Sequence, residues 1–472
     1  MKSKAFCLAF PRKSRLGTLL SVAITASLLT PLIPGAFSAG ASAPSPRAAV
    51  SPAAFAVAPL ISATKSDAFP DPDNDGKAVP GDTITYTVQV NNGGTDAAGV
   101  VFSDTVDANT TLVPGSVTTT PVAIDDSYSA VGNVRISVPA AGGLTSNDSD
   151  PDGGAVTAVP GTSTSAGGGD VTVNADGSFT YNPAPGFEGA DTFTYAINGA
   201  GSPSNTATVT VNVSGMFWFI DDSAAAAGDG RLTSPFNSVS AYNAGAADQA
   251  NDNIFLHSGN YTGGLALLSG QALVGEGSTA SLATVTGLTP PSYSDPLPAT
   301  GGANPVIGGA GGITVATNNL IRGVTVANTA GTGISGITFG TLAVADTTVN
   351  STGQALDLND GLLNATFQSV SSDGSGTAGI SLTNIAVGSV FNGGTTTVSN
   401  RFSTGIDLNS VQGTIAFGAT TVTNQNGAGG YGVRVRNSGA AISFASATVS
   451  DANQLTAQAD ADADGIPETD GD

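Results

Sequence analysis

Five short segments in the C-terminal half of the chain share one pattern: GISG (333–336), ALDLN (355–359), GISLT (379–383), GIDLN (405–409) and GVRVR (432–436). Each has an aliphatic residue at its second position, and these landmark residues are separated by 22, 24, 26 and 27 residues. Such intervals are typical of a solenoid in which each repeat forms one coil. We predict that the landmarks point inward and stack on one another: Ile334, Leu356, Ile380, Ile406 and Val433.

A second series of aliphatic residues recurs in the same region, at intervals of 23, 21, 28, 24 and 27 residues. Two independent series with the same drifting period indicate the coils of one parallel β-helix, stacked at the strand spacing of about 4.8 Å. The coils are visible from about residue 313 to residue 453. The second series consists of Val326, Val349, Val370, Val398, Val422 and Val449.

The segment before these coils carries a family resemblance. It contains MFWFIDDSAAAAGDGRLTSPFNSV (216–239), DNIFLHSGNYTGG (252–264) and LLSGQALVGEG (267–277). Together these stretches resemble the entry to a pectin-lyase-like right-handed β-helix. The resemblance implies that the β-helix occupies residues 215–456. Trp218 is expected to cover the first coil rather than to bind sugar.

Two shorter β-rich regions precede the β-helix. The stretch PGDTITYTVQVNNGGTDAAGVVFSDTVDANTTLVPGSV (80–117) resembles the conserved repeat domain of bacterial surface proteins once called domain of unknown function 11. The resemblance implies a small immunoglobulin-like sandwich over residues 63–120. The fold class expected for the whole chain is therefore all-β, with two immunoglobulin-like sandwiches followed by a right-handed parallel β-helix.

The second of these regions, 121–214, contains LTSNDSDPDGGAVTAV (144–159) and NADGSFTYNPAPGFEGADTFTYAI (174–197). This order of turns and strands resembles the bacterial cadherin-like tandem repeat found in large adhesins. Alternating aromatic side chains predict one face of a sandwich core. These aromatic residues are Phe179, Tyr181, Phe193 and Tyr195.

The N-terminus predicts export. Residues 1–43 combine a basic start, an apolar stretch and small-residue cleavage sites, and we interpret them as a signal peptide. Residues 44–62 are rich in Pro and Ala and form a linker. The formal net charge of −22 excludes nucleic acid as a partner and favours divalent cations. We expect a secreted or cell-surface protein with no membrane span after cleavage; a retained signal anchor is the alternative.

Acidic residues at alternating positions predict calcium sites, because Ca²⁺ takes six to eight oxygen ligands. The loop DPDNDGKAVPGD (71–82) follows the spacing of an EF-hand loop without its helices. A second turn lies in the cadherin-like repeat, and the tail (457–472) resembles a thrombospondin type 3 calcium repeat. A solvated linker, a polar turn and an unstructured terminus are the respective alternatives. The predicted ligands are Asp71, Asp73, Asp75, Asp82, Asp148, Asp150, Asp152, Asp460, Asp462 and Asp464.

The acidic tail, with no covering segment for the last coil, also suggests that the polypeptide continues beyond Asp472.

The β-helix also raises an enzyme hypothesis, since polysaccharide lyases and hydrolases share this architecture. The outward residues of the repeated strands form two rows, Asp357–Ser381–Asp407–Arg434 and Asn359–Thr383–Asn409–Arg436. Asp357 and Asp407 would lie two coils apart, about 9.6 Å, a separation that an inverting hydrolase tolerates. Asp357, Asp407 and Arg434 are thus weak catalytic candidates. No paired-Asp glycosidase motif accompanies them, so we expect no enzyme.

These modules in series predict a rod, stiffened by calcium, that binds an extracellular glycan, matrix or surface protein. The function expected from the sequence is therefore structural or adhesive. The alternative is a secreted polysaccharide lyase or hydrolase that uses the face of the β-helix.

Overall fold

The computed structural model describes residues 5–7, 60–79, 82–93, 101–103, 110–113, 119–151, 153–199, 203–399, 404–423 and 431–450. Strands dominate this part of the chain, which confirms the all-β prediction. Its α-helices are short: α1 (Val239–Gly245) and α2 (Leu282–Thr286). No helix within the described ranges is long and apolar enough to cross a membrane.

The described residues before 119 form two antiparallel strand pairs. Their strands are β1 (Ala5–Cys7), β2 (Ile61–Ala68), β3 (Thr85–Asn92) and β4 (Val101–Ser103). β1 pairs with β4, and β2 pairs with β3. β1 lies inside the predicted signal peptide. The immunoglobulin-like sandwich expected over residues 63–120 stays a prediction.

The next region is a sandwich of one antiparallel sheet and one mixed sheet, in which β13 pairs antiparallel with β11 and parallel with β5. One sheet has the strand order β6-β10-β9-β8, and β11 pairs with β13 in another. The predicted aromatic residues of β10 and β11 are each 5% exposed or less and form its core. Its strands are β5 (Asp126–Gly132), β6 (Ile136–Val138), β7 (Thr157–Ala158), β8 (Gly161–Thr164), β9 (Asp170–Val173), β10 (Phe179–Asn182), β11 (Gly189–Tyr195), β12 (Ile197–Asn198) and β13 (Ala207–Ile220).

The remaining strands pair in parallel, coil upon coil. They are β14 (Asn253–Leu256), β15 (Asn260–Thr262), β16 (Leu265–Ala266), β17 (Ala272–Gly275), β18 (Val306–Gly309), β19 (Ile313–Val315), β20 (Leu320–Arg322), β21 (Thr325–Thr329), β22 (Ile334–Ser351), β23 (Leu356–Asp373), β24 (Ile380–Ile385), β25 (Val390–Asn392), β26 (Thr395–Ser399), β27 (Ile406–Asn409), β28 (Thr414–Thr423), β29 (Val433–Arg436) and β30 (Ala441–Ser450).

These strands stack in three columns, which we number by their order along a coil. Column 1 begins with the end of β13 and continues through β14, β17 and β20. Column 2 begins with β15, β18 and β21, and column 3 begins with β16 and β19. The long strands β22 and β23 pass through all three columns. The described residues between 217 and 450 therefore form a parallel β-helix.

The predicted landmark residues stack as expected in column 3. Ile334 pairs with Leu356, and the series continues through Ile380 and Ile406 to Val433. The other four landmark residues, Ile334, Leu356, Ile380 and Ile406, are fully buried in the core of the β-helix. The repeated pattern of the sequence thus gives the correct register.

One predicted pairing in the second series of aliphatic residues is wrong. Val370 does not pair with Val398 but with Thr396, whereas Val398 pairs with Ser372. Thr396 is fully buried, and its hydroxyl donates to the carbonyl oxygen of Gly394 at 3.3 Å. A small hydroxyl side chain with a local acceptor therefore occupies the inward position at which we expected Val398. The other steps of this series are confirmed.

The sandwich and the β-helix share one strand. The first part of β13 pairs with β5 and β11, and Phe217–Ile220 pairs with β14. The predicted boundary at 214/215 therefore falls inside a continuous strand. Val131 and Val134 of the sandwich pack in one apolar cluster with Phe217 and Phe219. The end of β5 thus closes one side of the first coil.

A buried asparagine joins these modules. Asn133, at φ 64°, donates from Nδ2 to the carbonyl oxygen of Phe217 at 2.8 Å. Its Oδ1 accepts from the amide of Gly186 at 3.0 Å. We predict that Asn133→Ala lowers the free energy of unfolding by about 2–4 kcal/mol, because two buried groups lose their partner and Ala is strained in the left-handed region.

Denaturation followed by the fluorescence of Trp218, the single Trp of the chain, measures this change at the junction. The matched control is Asn212→Ala on the exposed side of β13, expected to change the free energy by less than about 0.5 kcal/mol. Equal effects of the two substitutions would contradict a special role for Asn133.

Candidate functional site

The loop at residues 71–76 brings three of the predicted calcium ligands together. One oxygen atom from each of Asp71, Asp73 and Asp75 lies within 4.8 Å of the others. The turn that achieves this has positive φ at Asn74 and Gly76, 59° and 74°. Converging carboxylate oxygens are the ligands that a hard cation prefers. The loop is exposed, so a cation bound here would be reached directly from solvent.

Main-chain amides compensate part of the negative charge of this loop. Both carboxylate oxygens of Asp71 accept hydrogen bonds, from the amide of Asp75 at 3.1 Å and from that of Gly76 at 2.9 Å. The bond from Gly76 is the main reason that the pKa of Asp71 is lowered. Asp82, expected to close the site, lies outside the group and accepts from the amide of Val79 at 2.8 Å.

Two of the acidic residues predicted in the turn of the sandwich, Asp148 and Asp150, are among the described residues. Asp148 points inward, where its Oδ1 accepts from the amide of Ile124 at 2.8 Å. Asp150 is 9% exposed and lies against Gly199. Asp152 lies outside the described residues, as do the tail residues Asp460, Asp462 and Asp464. The calcium site expected in this turn stays a prediction.

Asp148 instead faces Asp126, a residue of β5 that the sequence analysis did not select. The hydroxyl of Tyr195 lies 3.1 Å from both carboxylate oxygens of Asp148 and also interacts with Asp126. Burial raises the pKa of Asp126 to about 7, and the nearby charge of Asp148 contributes to the rise. Burial also raises the pKa of Asp148 to about 6. This carboxylate pair is the most strongly perturbed acidic group in the described part of the chain.

A sequence signal for Asp126 existed. Asp126, Tyr128 and Ala130 alternate along β5 and are less exposed than the residues between them. An Asp on the inward face of a predicted strand needs a partner in the core. The partner residues Asp148 and Tyr195 are distant in sequence, so spacing alone did not bring the three together.

The weak catalytic candidates lie on the outer face of column 3. Asp407 pairs in register with Arg434, as predicted. Arg434 donates from Nε to Oδ1 at 3.1 Å and from Nη2 to Oδ2 at 2.6 Å, and Arg436 reaches Oδ2 at 3.1 Å. Hydrogen bonds to Asp407 raise the pKa of Arg434. A carboxylate that is hydrogen-bonded to two guanidinium groups is better suited to linking neighbouring coils than to transferring a proton.

The neighbouring outward row is polar over several coils. Asn359 pairs with Thr383, Thr383 with Asn409, and Asn409 with Arg436, in the predicted register. Asp357 is exposed and pairs with Ser381, which in turn pairs with Asp407, so the two Asp residues lie two coils apart, as predicted. The outer face of column 3 thus presents amide, hydroxyl and guanidinium groups at the regular spacing of the coils.

Corner residues extend this face. In five coils, the corner that follows the column 3 segment of β22, β23, β24, β27 or β29 contains a residue with positive φ, between 51° and 65°. Two of these corners donate to the row beside them: Asn384 to Asn359 at 3.0 Å and Asn437 to Asn409 at 3.3 Å. The corner residues, which the sequence analysis missed, are Thr338, Asp360, Asn384, Ser410 and Asn437.

Comparison with known proteins identifies the sandwich. Residues 118–215 match the family model of the bacterial cadherin-like domain. The chain is therefore an all-β protein that contains a bacterial cadherin-like domain, in agreement with the resemblance noted in the sequence. Such domains suggest an extracellular, adhesion-type role.

Comparison of the whole chain with curated proteins and with solved structures does not identify a family. No curated protein matches it. Among solved structures, a rhamnogalacturonan lyase is similar over 52% of this chain and 65% of the lyase chain, at 11% sequence identity and a TM-score of 0.22. A TM-score of this size does not establish a shared fold.

The raised pKa values of Asp126 and Asp148 predict a pH dependence of stability. Both values lie above the ordinary 3.8, so the folded state holds protons that the unfolded state has released. In chelator-containing buffer, the loss of stability caused by this pair therefore begins near pH 4, where the unfolded carboxyl groups release their protons, and is complete above about pH 7. Asp126→Asn should weaken this dependence and raise the melting temperature at about pH 8.

Thermal unfolding followed by circular dichroism across this pH range measures the effect. Glu188→Gln, at an exposed position of the same sandwich, is the matched control and should retain the parent's pH dependence. Identical pH profiles for Asp126→Asn and the parent would show that the acid pair does not destabilise the folded state.

Proposed function

We propose that this chain is an exported structural and adhesive protein that binds an extracellular glycan or surface protein. The main support is the bacterial cadherin-like domain, whose last strand continues without a linker into the β-helix. A shared strand transmits orientation from one module to the next. A ligand-binding face on the β-helix would therefore be held in a fixed direction.

The binding face in this proposal is the outer face of column 3. Its rows of amide and hydroxyl groups repeat from coil to coil and end in Arg434 and Arg436. The side chain of Arg436 is 44% exposed, against 13% for Asp407. Repeated hydrogen-bonding groups on a rigid sheet suit a polymer with repeated hydroxyl groups, such as a glycan.

Export to the cell surface or medium is part of the same proposal. Its support is the leader-like N-terminus together with the adhesion-type domain. The single cysteine, Cys7, falls within the leader, so the mature chain would have no disulfide. The apolar cores of the sandwich and the β-helix would then supply the stability, with help from bound calcium.

Calcium is the proposed cofactor, and the Asp71 loop is the exposed site. Three carboxylates converge there, and the donor set consists only of oxygen atoms, which fits Ca²⁺. Asp73 is the best residue to substitute, because Asp71 and Asp75 also accept hydrogen bonds from main-chain amides within the loop.

We predict that Asp73→Asn weakens calcium binding at this loop by at least about tenfold, since it removes one charged ligand. Isothermal titration calorimetry of the full chain measures the affinity. The control is Asp67→Asn on the exposed strand β2, which should bind as the parent does. An unchanged affinity for Asp73→Asn would remove this loop from the proposal.

The rival function is a secreted polysaccharide lyase or hydrolase that acts on the same face. It needs a free acid or base, and Asp407 is held by two guanidinium groups. Incubation with acidic polysaccharides and calcium, followed by assays for unsaturated or reducing ends, separates the two functions. Turnover that is abolished by Asp407→Ala would favour the enzyme over the adhesive protein.

The adhesive function predicts saturable binding to a panel of insoluble or immobilised glycans or to whole cells. Arg436→Gln should reduce the retained protein at least about fivefold, because it removes an exposed charged donor at the end of the row. Thr397→Ala, on the outer face of column 2, is the matched control and should bind normally. Equal binding of both variants would place the ligand elsewhere.

A further inference from the structure

One carboxylate on the outer face of column 3 is shared by two basic side chains. Arg434 donates to Asp407 from Nε and Nη2, and Arg436 donates to it from Nη2. The side chain of Asp407 is largely covered, whereas both Arg side chains remain partly exposed. A ligand that approaches this face therefore meets the guanidinium groups before it meets the carboxylate.

This group carries an excess of positive charge. Two guanidinium groups and one carboxylate give a formal charge of +1 over Asp407, Arg434 and Arg436. Asp357, in the same row, lies three coils from Arg434, about 14 Å, which exceeds the Debye length of about 8 Å at physiological salt. The chain as a whole has a net charge of −22 and repels polyanions. An anionic ligand would therefore be drawn to this group.

The two guanidinium groups also keep donors for a ligand. Each guanidinium group has five N–H donors. The bonds of Arg436 to Asp407 use Nη2, so its Nε and Nη1 take no part in them. Nη1 of Arg434 is likewise not used by Asp407. The ring of Tyr431 lies 5.4 Å from the guanidinium carbon of Arg434, and this contact restrains the guanidinium plane. The donors are thus held in place before a ligand binds.

We propose that Arg434 and Arg436 together bind one sulfate ester of a sulfated glycan that lies along the outer face of column 3. The inference rests on the proposed adhesive function and names the class of its ligand. Beside the two Arg residues, Asn359, Thr383 and Asn409 follow one another from coil to coil. Their spacing of about 4.8 Å is close to the length of one sugar residue. These amide and hydroxyl groups would bind the hydroxyl groups of the same glycan.

The charge and hydration of the group favour a sulfate ester over other anions. A sulfate ester carries one negative charge, which the excess charge of the group balances, whereas a phosphate monoester carries about −1.5 to −2. Its three terminal oxygen atoms allow it to accept from both guanidinium groups at once. Guanidinium is weakly hydrated. A sulfate ester spreads its charge over more oxygen atoms than a carboxylate does, so less hydration is lost when it pairs with guanidinium.

Three dextrans test the inference, because they share one backbone and differ in the group attached to it. Binding of the full chain to dextran sulfate, carboxymethyl dextran of matched substitution and uncharged dextran is measured by biolayer interferometry at physiological salt. We expect dextran sulfate to bind at least about fivefold more tightly than carboxymethyl dextran, since guanidinium pairs best with a weakly hydrated anion. Equal affinities for the two charged dextrans would overturn the choice of a sulfate ester.

Variants locate the site. Arg436→Gln should weaken binding to dextran sulfate at least about tenfold, because a charged donor is lost. Arg436→Lys keeps the charge and should recover part of this affinity. The matched control, Arg135→Gln, removes the same charge from the sandwich and should bind as the parent does. Circular dichroism checks that each variant folds. Equal affinities of Arg436→Gln and Arg135→Gln would overturn the proposal.

The same measurements separate this inference from the adhesive function on which it rests. Binding to cells and to unsulfated glycans, with no preference for dextran sulfate, would overturn the sulfated ligand and support the adhesive function. Binding to dextran sulfate that depends on Arg436, with no binding to cells or to other glycans, would support the site and count against the adhesive function.

Discussion

The register between successive coils is the constraint on which the β-helix depends. Parallel strands in neighbouring coils exchange main-chain hydrogen bonds, so each residue lies directly above its partner in the coil below. An aliphatic residue in one coil then requires a compatible residue at the same position in the next. Column 3 meets this requirement from Ile334 to Val433, although the coil length changes by several residues. Length variation is absorbed between the columns, where corners and loops replace strands.

The first coil poses a separate problem, because a β-helix ends in unpaired strand edges and an exposed core. Here the sandwich supplies part of the closure. In the segment Phe217–Ile220 all side chains are buried: Trp218 packs on Phe236 inside the coil, at 6.1 Å between ring centroids, and Phe217 faces the sandwich side. A strand buried on both faces has no polar alternation. The run MFWFI at 216–220 has this character.

Much of the architecture could be read from the sequence, since strand alternation and a repeated coil leave a periodic trace. The period fixed which residues point inward, and it also gave the pairing of Asp407 with Arg434. The period gave the wrong pairing where two residues on the same face of a strand could each align with Val370. Thr396 and Val398 are two positions apart, so alternation cannot decide which of them aligns with Val370. The structure selects Thr396, because its hydroxyl finds an acceptor within its own turn.

The acidic group of the sandwich was less predictable, and the reason is electrostatic. In the β-helix, Asp346 and Asp407 each accept from an Arg, and those pairs are partly exposed. In the sandwich, Asp126 and Asp148 are half-buried carboxylates with raised pKa values, and Arg135 is engaged by Asp295. A buried carboxylate takes up a proton, meets a positive charge or accepts enough hydrogen bonds, as Asp191 does from Ser165, Tyr181 and two main-chain amides. Spacing along the chain reveals carboxylates that share a turn, but Asp126 and Asp148 come together beside Tyr195 only in the folded core. The demand for a counter-charge is therefore a property of the fold, and it falls where the first module enters the sandwich.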